Sequence, residues 1–244
     1  MNSFVGIGTY TGESYHDSGL RFMGISLPKV GKSGSDVPLL MVPNKAAGET
    51  FDVFQPGVRL LLGGRLYPNR QDYKMYLVPN QPLQLVNDKS LQLNRVNLAG
   101  GVGFIPEQAK EDLFTFTTMV SAPAQMILGH NWEDSLSFRM ESWGDDAKRL
   151  TSLLHVGRQL SVEGVLRYNL WQAQDGSQRG TYQVRVRAGM YSVFGKNKNR
   201  EEQAKVKNEL SEENLCSPAS VSKPPAQPAR KAYAPTVDED SVPF

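Results

Sequence analysis

The 244-residue chain reads as an all-β protein: two tandem OB-fold, five-stranded barrels followed by a disordered C-terminal tail. Three observations lead to that class. Short apolar or alternating runs separated by turn residues occupy the chain up to residue 195, the halves of that stretch repeat each other, and the composition changes abruptly from residue 196 onward.

The runs come in two sets. SFVGIGTY, LRFMGISL, VPLLMVP and VRLLLGGRLY fall in the first half; RVNLAGGVG, LFTFTTMV, LSFRMESW, QLSVEGVLRY and TYQVRVRAGMYSV fall in the second. Their closeness and glycine content suit barrels or sandwiches. One helix interrupts them. Asp145-Asp146 opens it, Ala147, Leu150, Leu153 and Leu154 form an apolar stripe, and Gly157 ends it. A weaker counterpart lies in NKAAGETFDVF.

Offset by 100 positions, the halves share Gly57/Gly157, Leu60/Leu160, Gly64/Gly164, Leu66/Leu166 and Asn69/Asn169; near the starts an offset of 92 pairs Asn2 with Asn94 and Gly8 with Gly100. A changing offset with unchanged strand order is what loops of unequal length give in a duplicated domain. Each unit then reads strand, strand, strand, helix, strand, strand, the order of the OB-fold. The expected division is 1–88 for the first barrel, 92–195 for the second and 196–244 for the tail. That tail holds Pro218, Pro224, Pro225, Pro228, Pro235 and Pro243 but only Tyr233 and Phe244 as aromatics, too little apolar area to offset the entropy of ordering it.

Charge and cysteine content set limits. With 27 Lys plus Arg against 25 Asp plus Glu, the net charge of +2 argues against binding nucleic acid by a heavily basic surface alone. The one cysteine, Cys216, excludes an intramolecular disulfide framework and a cysteine zinc cage, and suits a reducing compartment. No apolar run approaches the ~18 residues of a membrane span, and MNSFVGIGTYTGES lacks the pattern of a signal peptide. A cytoplasmic location is expected, with no membrane partner.

The second unit resembles the bacterial single-stranded DNA-binding protein family over nearly its whole length. Asn94-Arg95-Val96-Asn97-Leu98-Ala99-Gly100 is similar to that family's first strand. Arg139 to Gly144, the helix, and Val156 through Leu166 resemble its third strand, helix and fourth strand. Trp171 followed by Asp175-Gly176 is similar to its Trp-bearing hairpin, and the terminal Asp238-Glu239-Asp240-Ser241-Val242-Pro243-Phe244 to its acidic Ile-Pro-Phe ending. The first unit resembles the family more faintly, at its start and from Gly57 to Leu66.

Single strands are held by aromatic faces that stack on bases and by Lys and Arg that track phosphates. On the third strand of the second unit, Leu136, Phe138 and Met140 share the core face; Ser137, Arg139, Glu141 and Trp143 share the other. Trp143 beside Arg139 is a candidate stacking ring, unless a bulge at the strand end turns it inward. Trp171 lies within YNLWQAQDGSQRG, where a hairpin has no core to fill, with Tyr168 as a weaker partner. Arg185 and Arg187 alternate with Val184 and Val186 and point outward together, toward phosphates or simply toward water. In the first unit, Tyr67, Arg70, Tyr73, Lys74 and Tyr76 interleave rings and cations around a hairpin. The resemblance assigns stacking to the positions of Trp143 and Trp171. It departs at Ser137, which stands where the family has a Trp, and within Ser121-Ala-Pro-Ala-Gln125.

By the same resemblance the chain coats and protects single-stranded DNA in replication, recombination and repair, forms a homodimer of four barrels, and recruits those pathways' proteins through its tip. There Asp238, Glu239 and Asp240 offer charge to a basic surface and Phe244 fills an apolar pocket with its carboxylate held by Arg or Lys, Val242 and Pro243 completing the tip. Two other readings stay open: a primosome-like or recombination scaffold binding mainly protein, and an RNA-binding module. No catalytic, metal or cofactor site is expected. Lys32-Ser33 lacks the first glycine of a phosphate loop because Ser26 stands there, and His16, His130 and His155 have no ligand spacing.

Overall fold

The computed structural model describes residues 1–15, 21–31, 35–42, 53–69, 72–107, 110, 112–121, 126–127, 130–131, 135–172 and 176–195. The helix expected in NKAAGETFDVF and the tail from 196 onward fall essentially outside these residues.

The first half supplies β1 (Asn2–Tyr15), β2 (Arg21–Leu27), β3 (Val37–Met41), β4 (Arg59–Pro68), β5 (Met75–Pro79) and the short β6 (Gln84–Leu85). β1 pairs with β2 and β4, β2 with β3, β3 with β5 in parallel, and β5 with β4, so the five longer strands close into a ring. The second half supplies β7 (Asn94–Phe104), β8 (Leu113–Ser121), the two-residue β9 (Met126–Ile127) and β10 (His130–Asn131), β11 (Ser135–Trp143), α1 (Asp145–Leu153), β12 (Gln159–Gln172) and β13 (Gln178–Phe194). Its ring repeats the first: β7 with β8 and β12, β8 with β11, β11 with β13 in parallel, and β13 with β12.

Alternation fills the two interiors. Met23, Ile25, Leu27, Leu39, Met41, Leu60, Leu62 and Leu66 are buried in the first half, and Val96, Leu98, Phe114, Phe116, Val120, Leu136, Phe138, Met140 and Leu166 in the second. Each such side chain stabilises the fold by about 1.5–3 kcal/mol relative to exposure. The helix buries Ala147 and Leu150, and Leu154, just beyond its end, is buried with them. Its N-cap is Gly144, which has no side chain to cap with. Asp145 and Asp146 lie in the first turn instead, and Asp146 accepts hydrogen bonds from the Gly189 amide, 2.9 Å, and the Tyr191 hydroxyl, 3.1 Å, tying the helix to β13.

The duplication is written into the hydrogen bonds at the same two offsets. Asn2 donates to the Leu66 carbonyl at 2.6 Å and accepts from its amide at 3.2 Å; Asn94 does the same with Leu166 at 2.8 and 2.9 Å. Gly57 (φ 96°) donates to the Tyr10 carbonyl, and Gly157 (φ 85°) to that of Val102. Both occupy left-handed backbone that favours glycine.

Among the described residues, hydrogen bonds join the rings along two seams. β1 runs antiparallel to β7 from Asn2↔Leu98 to Gly6↔Asn94, making one sheet continuous through both. The second lies at the long hairpin of β12 and β13. There the Ser35 amide donates to the Tyr168 carbonyl, 3.1 Å, and the Tyr182 hydroxyl donates to the Pro38 carbonyl, 2.7 Å.

Replacing Asn94 by Ala leaves a buried amide and carbonyl of Leu166 without their partner. The expected cost is about 2 kcal/mol, read as a lower melting temperature in thermal unfolding, and Asn2→Ala should behave alike.

Candidate nucleic-acid interface

Two hairpins face each other between the rings. β12 and β13 stay paired out to Gln172↔Gln178, which carries Trp171 along a strand rather than at a tip. Tyr168 and Tyr182 are cross-strand partners with ring centroids 4.7 Å apart. Gly180 makes room for them, since a Cβ there would lie 2.0 Å from the Tyr168 hydroxyl. On the opposite side, the turn between β4 and β5 is held by three bonds. Asn69 donates its amide to the Lys74 carbonyl, 2.9 Å, while the Asp72 carboxylate accepts from the Lys74 amide, 3.0 Å, and from the Tyr76 hydroxyl, 2.5 Å. Those bonds hold Tyr73 at φ 56°, the only positive φ of a non-glycine among the described residues, and leave its ring 76% exposed. Backbone strain of this kind gathers at binding sites.

A cleft of about 680 Å³ separates the hairpins, with Tyr73 and Lys74 on one wall and Tyr168, Trp171, Arg179 and Tyr182 on the other. A neighbouring cleft of about 630 Å³ shares Tyr73, Lys74 and Tyr182 and runs onto the outward face of β8 and β11, past Thr117, Arg139 and Phe104. Trp143 follows Arg139 on the same face of β11, four residues or about 13 Å further along. Its exposed ring has the Arg185 guanidinium 5.3 Å from the centroid. The two clefts thus gather rings (Trp171, Tyr73, Phe104) and cations (Lys74, Arg139, Arg179), with Trp143 further along β11.

Several sequence expectations need correction. Tyr67 and Tyr76 are fully buried cross-strand partners, not exposed rings. Tyr76 packs edge-on against Phe22 and lies beside Tyr182 of the second unit, so the face they share is covered. Arg185 and Arg187 point outward as expected but are ion-paired there: Arg185 donates to Glu141 at 2.6 Å through one of its N–H groups, and Arg187 to Glu163 at 3.0 Å, a carboxylate that Arg95 also binds. Glu141 shares the face of Arg139 and Trp143 but is buried by its ion pairs. Arg70 and the tip residues from Asp238 to Phe244 lie outside the described residues.

Phe104 and Arg179 also line the clefts, beyond the residues expected there. A register shift between Val102 and Phe104 turns that ring out. Its signal in the sequence is the glycine run Gly100-Gly101-Val102-Gly103 before an aromatic, a composition that marks bulges. Among the described residues no three His, Cys, Asp or Glu side chains cluster to hold a metal ion, and no helix is long and apolar enough to cross a membrane.

Comparison with known proteins follows the same line. Residues 93–191 match the model of the single-strand binding protein family, so the resemblance read from the sequence stands over the second unit and supports single-stranded DNA binding there. Among solved structures, the wild-type single-stranded DNA binding protein from Thermus aquaticus aligns with a TM-score of 0.54 and 15% identity, over 80% of this chain and 94% of that one. A deletion variant of the same protein aligns with a TM-score of 0.54 and 16% identity, over 80% and 95%. At that identity the likeness establishes the fold. No curated protein matches.

Burial raises the pKa of the Tyr67, Tyr76, Tyr182 and Tyr191 phenols, and the carboxylates of Asp72 and Asp146 add to it at Tyr76 and Tyr191. A phenol with a raised folded pKa stabilises the native state fully below its unfolded value, and that contribution is lost as pH climbs past it. Urea unfolding should therefore show constant phenol-linked stability up to about pH 10 and a decline above it, with phenolate absorbance appearing as the fold opens.

Proposed function

We propose that the chain is a non-enzymatic single-stranded DNA-binding protein that leads the strand through the clefts between its two units. Bases lie against Trp171, Tyr73, Phe104 and Trp143, with Tyr168 behind them, while Lys74 and Arg139 meet phosphates. The observation that carries this reading is the convergence of exposed rings from both units on one pair of adjoining clefts. A core has no use for such rings, and every base has a face to stack on them. With few unpaired cations along the path, binding should be sequence-tolerant and less salt-sensitive than that of a strongly basic protein.

In the cell this activity protects single strands during replication, recombination and repair, in the nucleoid, by a homodimer presenting four barrels. The tip recruits partner proteins: Asp238, Glu239 and Asp240 face a basic surface, and Phe244 enters an apolar pocket behind Val242 and Pro243. A tether of changed composition lets one end hold DNA while the other holds protein.

Titrating oligo-dT while following Trp fluorescence, at two salt concentrations, tests the reading. Binding should quench the fluorescence, and Trp171→Ala and Tyr73→Ala should each weaken affinity by roughly ten-fold, the size of one lost stack. Unchanged fluorescence and affinity would favour the protein scaffold, and preferential capture of structured RNA would favour the RNA module. Deleting residues 238–244 should leave oligo-dT affinity intact or slightly higher while abolishing partner capture.

A further inference from the structure

A buried ion triad sits directly behind the exposed ring of Trp143. Glu141 and Arg167 are only 6% and 5% exposed at the side chain, whereas Arg185 is 34% exposed. One oxygen of Glu141 accepts from both: Arg167 Nη1 at 3.1 Å and Arg185 Nε at 2.6 Å. Two guanidiniums on one carboxylate leave a net positive charge at the surface end of the group.

Register explains the arrangement. Glu141 is the parallel-strand partner of Arg185, and Arg185 is paired in turn with Val165 on β12. Alternation puts Arg167 on the same face of β12 as Val165, and Trp143 on the same face of β11 as Glu141. A buried carboxylate is costly unless it is paired and its other lone pairs are bonded, and Glu141 takes a bond from each guanidinium, the shorter from Arg185. That same bond fixes the Arg185 guanidinium 5.3 Å from the Trp143 ring centroid, within the range of a cation–π contact.

We propose that Glu141 is a positioning residue for DNA binding: by anchoring Arg185 through Nε it seats the guanidinium against one face of Trp143, so that a base takes the opposite face and the remaining N–H donors of Arg185 take the adjoining phosphate. Nε is one of five N–H donors on a guanidinium, so the anchor leaves donors for the phosphate. This rests on the stacking role of Trp143 proposed above and adds to it the device that holds the ring.

The test is a double-mutant cycle on oligo-dT affinity in the full chain, with thermal melting of every variant. Glu141→Gln removes the charge, and Arg185→Lys keeps the charge but loses the planar fork while leaving the Glu141–Arg167 pair in place. Each should weaken binding about three- to ten-fold, the size of coupling between residues in contact, and each penalty should shrink once Trp143→Ala is present, leaving only the phosphate contact's share. If Glu141→Gln melts too low to assay, Arg185→Lys carries the cycle. Equal penalties with and without Trp143, or none in either background, would overturn the proposal. Loss of affinity in Trp171→Ala but not in Trp143→Ala or Arg185→Lys sinks this inference and spares the wider reading; no loss in any of them sinks both.

Discussion

The antiparallel pairing of β1 with β7 is the constraint on which the site depends. Each ring closes on its own, and neither hairpin alone makes a cleft. Main-chain bonds from Asn2↔Leu98 to Gly6↔Asn94 hold the rings in one register. The Tyr182 hydroxyl on the Pro38 carbonyl fixes the far side. Between those two seams, the β4–β5 turn and the β12–β13 hairpin come face to face. The same covering explains why Tyr67 and Tyr76 are lost to the core: they sit where the second unit closes on the first.

Beside the proposed path, cationic charge is partly spent internally: Arg185, Arg167, Arg187 and Arg95 all bind carboxylates. On the proposed reading, such an interface would gain affinity from ring faces more than from phosphate neutralisation. That shifts the weight of recognition onto side chains whose exposure is otherwise unfavourable, Tyr73 above all, held in strained backbone by Asp72 and Lys74.

Much of the fold was legible because it is periodic and repeated. Alternation in LFTFTTMV and LSFRMESW places β8 and β11, and the matched pairs Asn2/Asn94 and Gly57/Gly157 turn out to mark the same hydrogen bonds in each unit. Trp143 and Trp171 were legible as exposed rings because parity and hairpin position are local. The burial of Tyr67 and Tyr76 was not, since local pattern shows which face a ring takes and not whether another unit covers it. Nor were the ion pairs of Arg185 and Arg187: their partners, Glu141 and Glu163, lie on other strands, and only register brings them together. Phe104 depended on a bulge that glycine content suggests without locating.

The most direct check on the account is photocrosslinking of a short oligonucleotide carrying 5-iododeoxyuridine, with the attached peptides identified by mass spectrometry. Crosslinks are expected to Tyr73 from the first unit and to Trp171 and Phe104 from the second, on the same bound strand. Crosslinks confined to the helix end around Val156, or to Met190 and Phe194 at the far end of β13, with none at the facing hairpins, would contradict it.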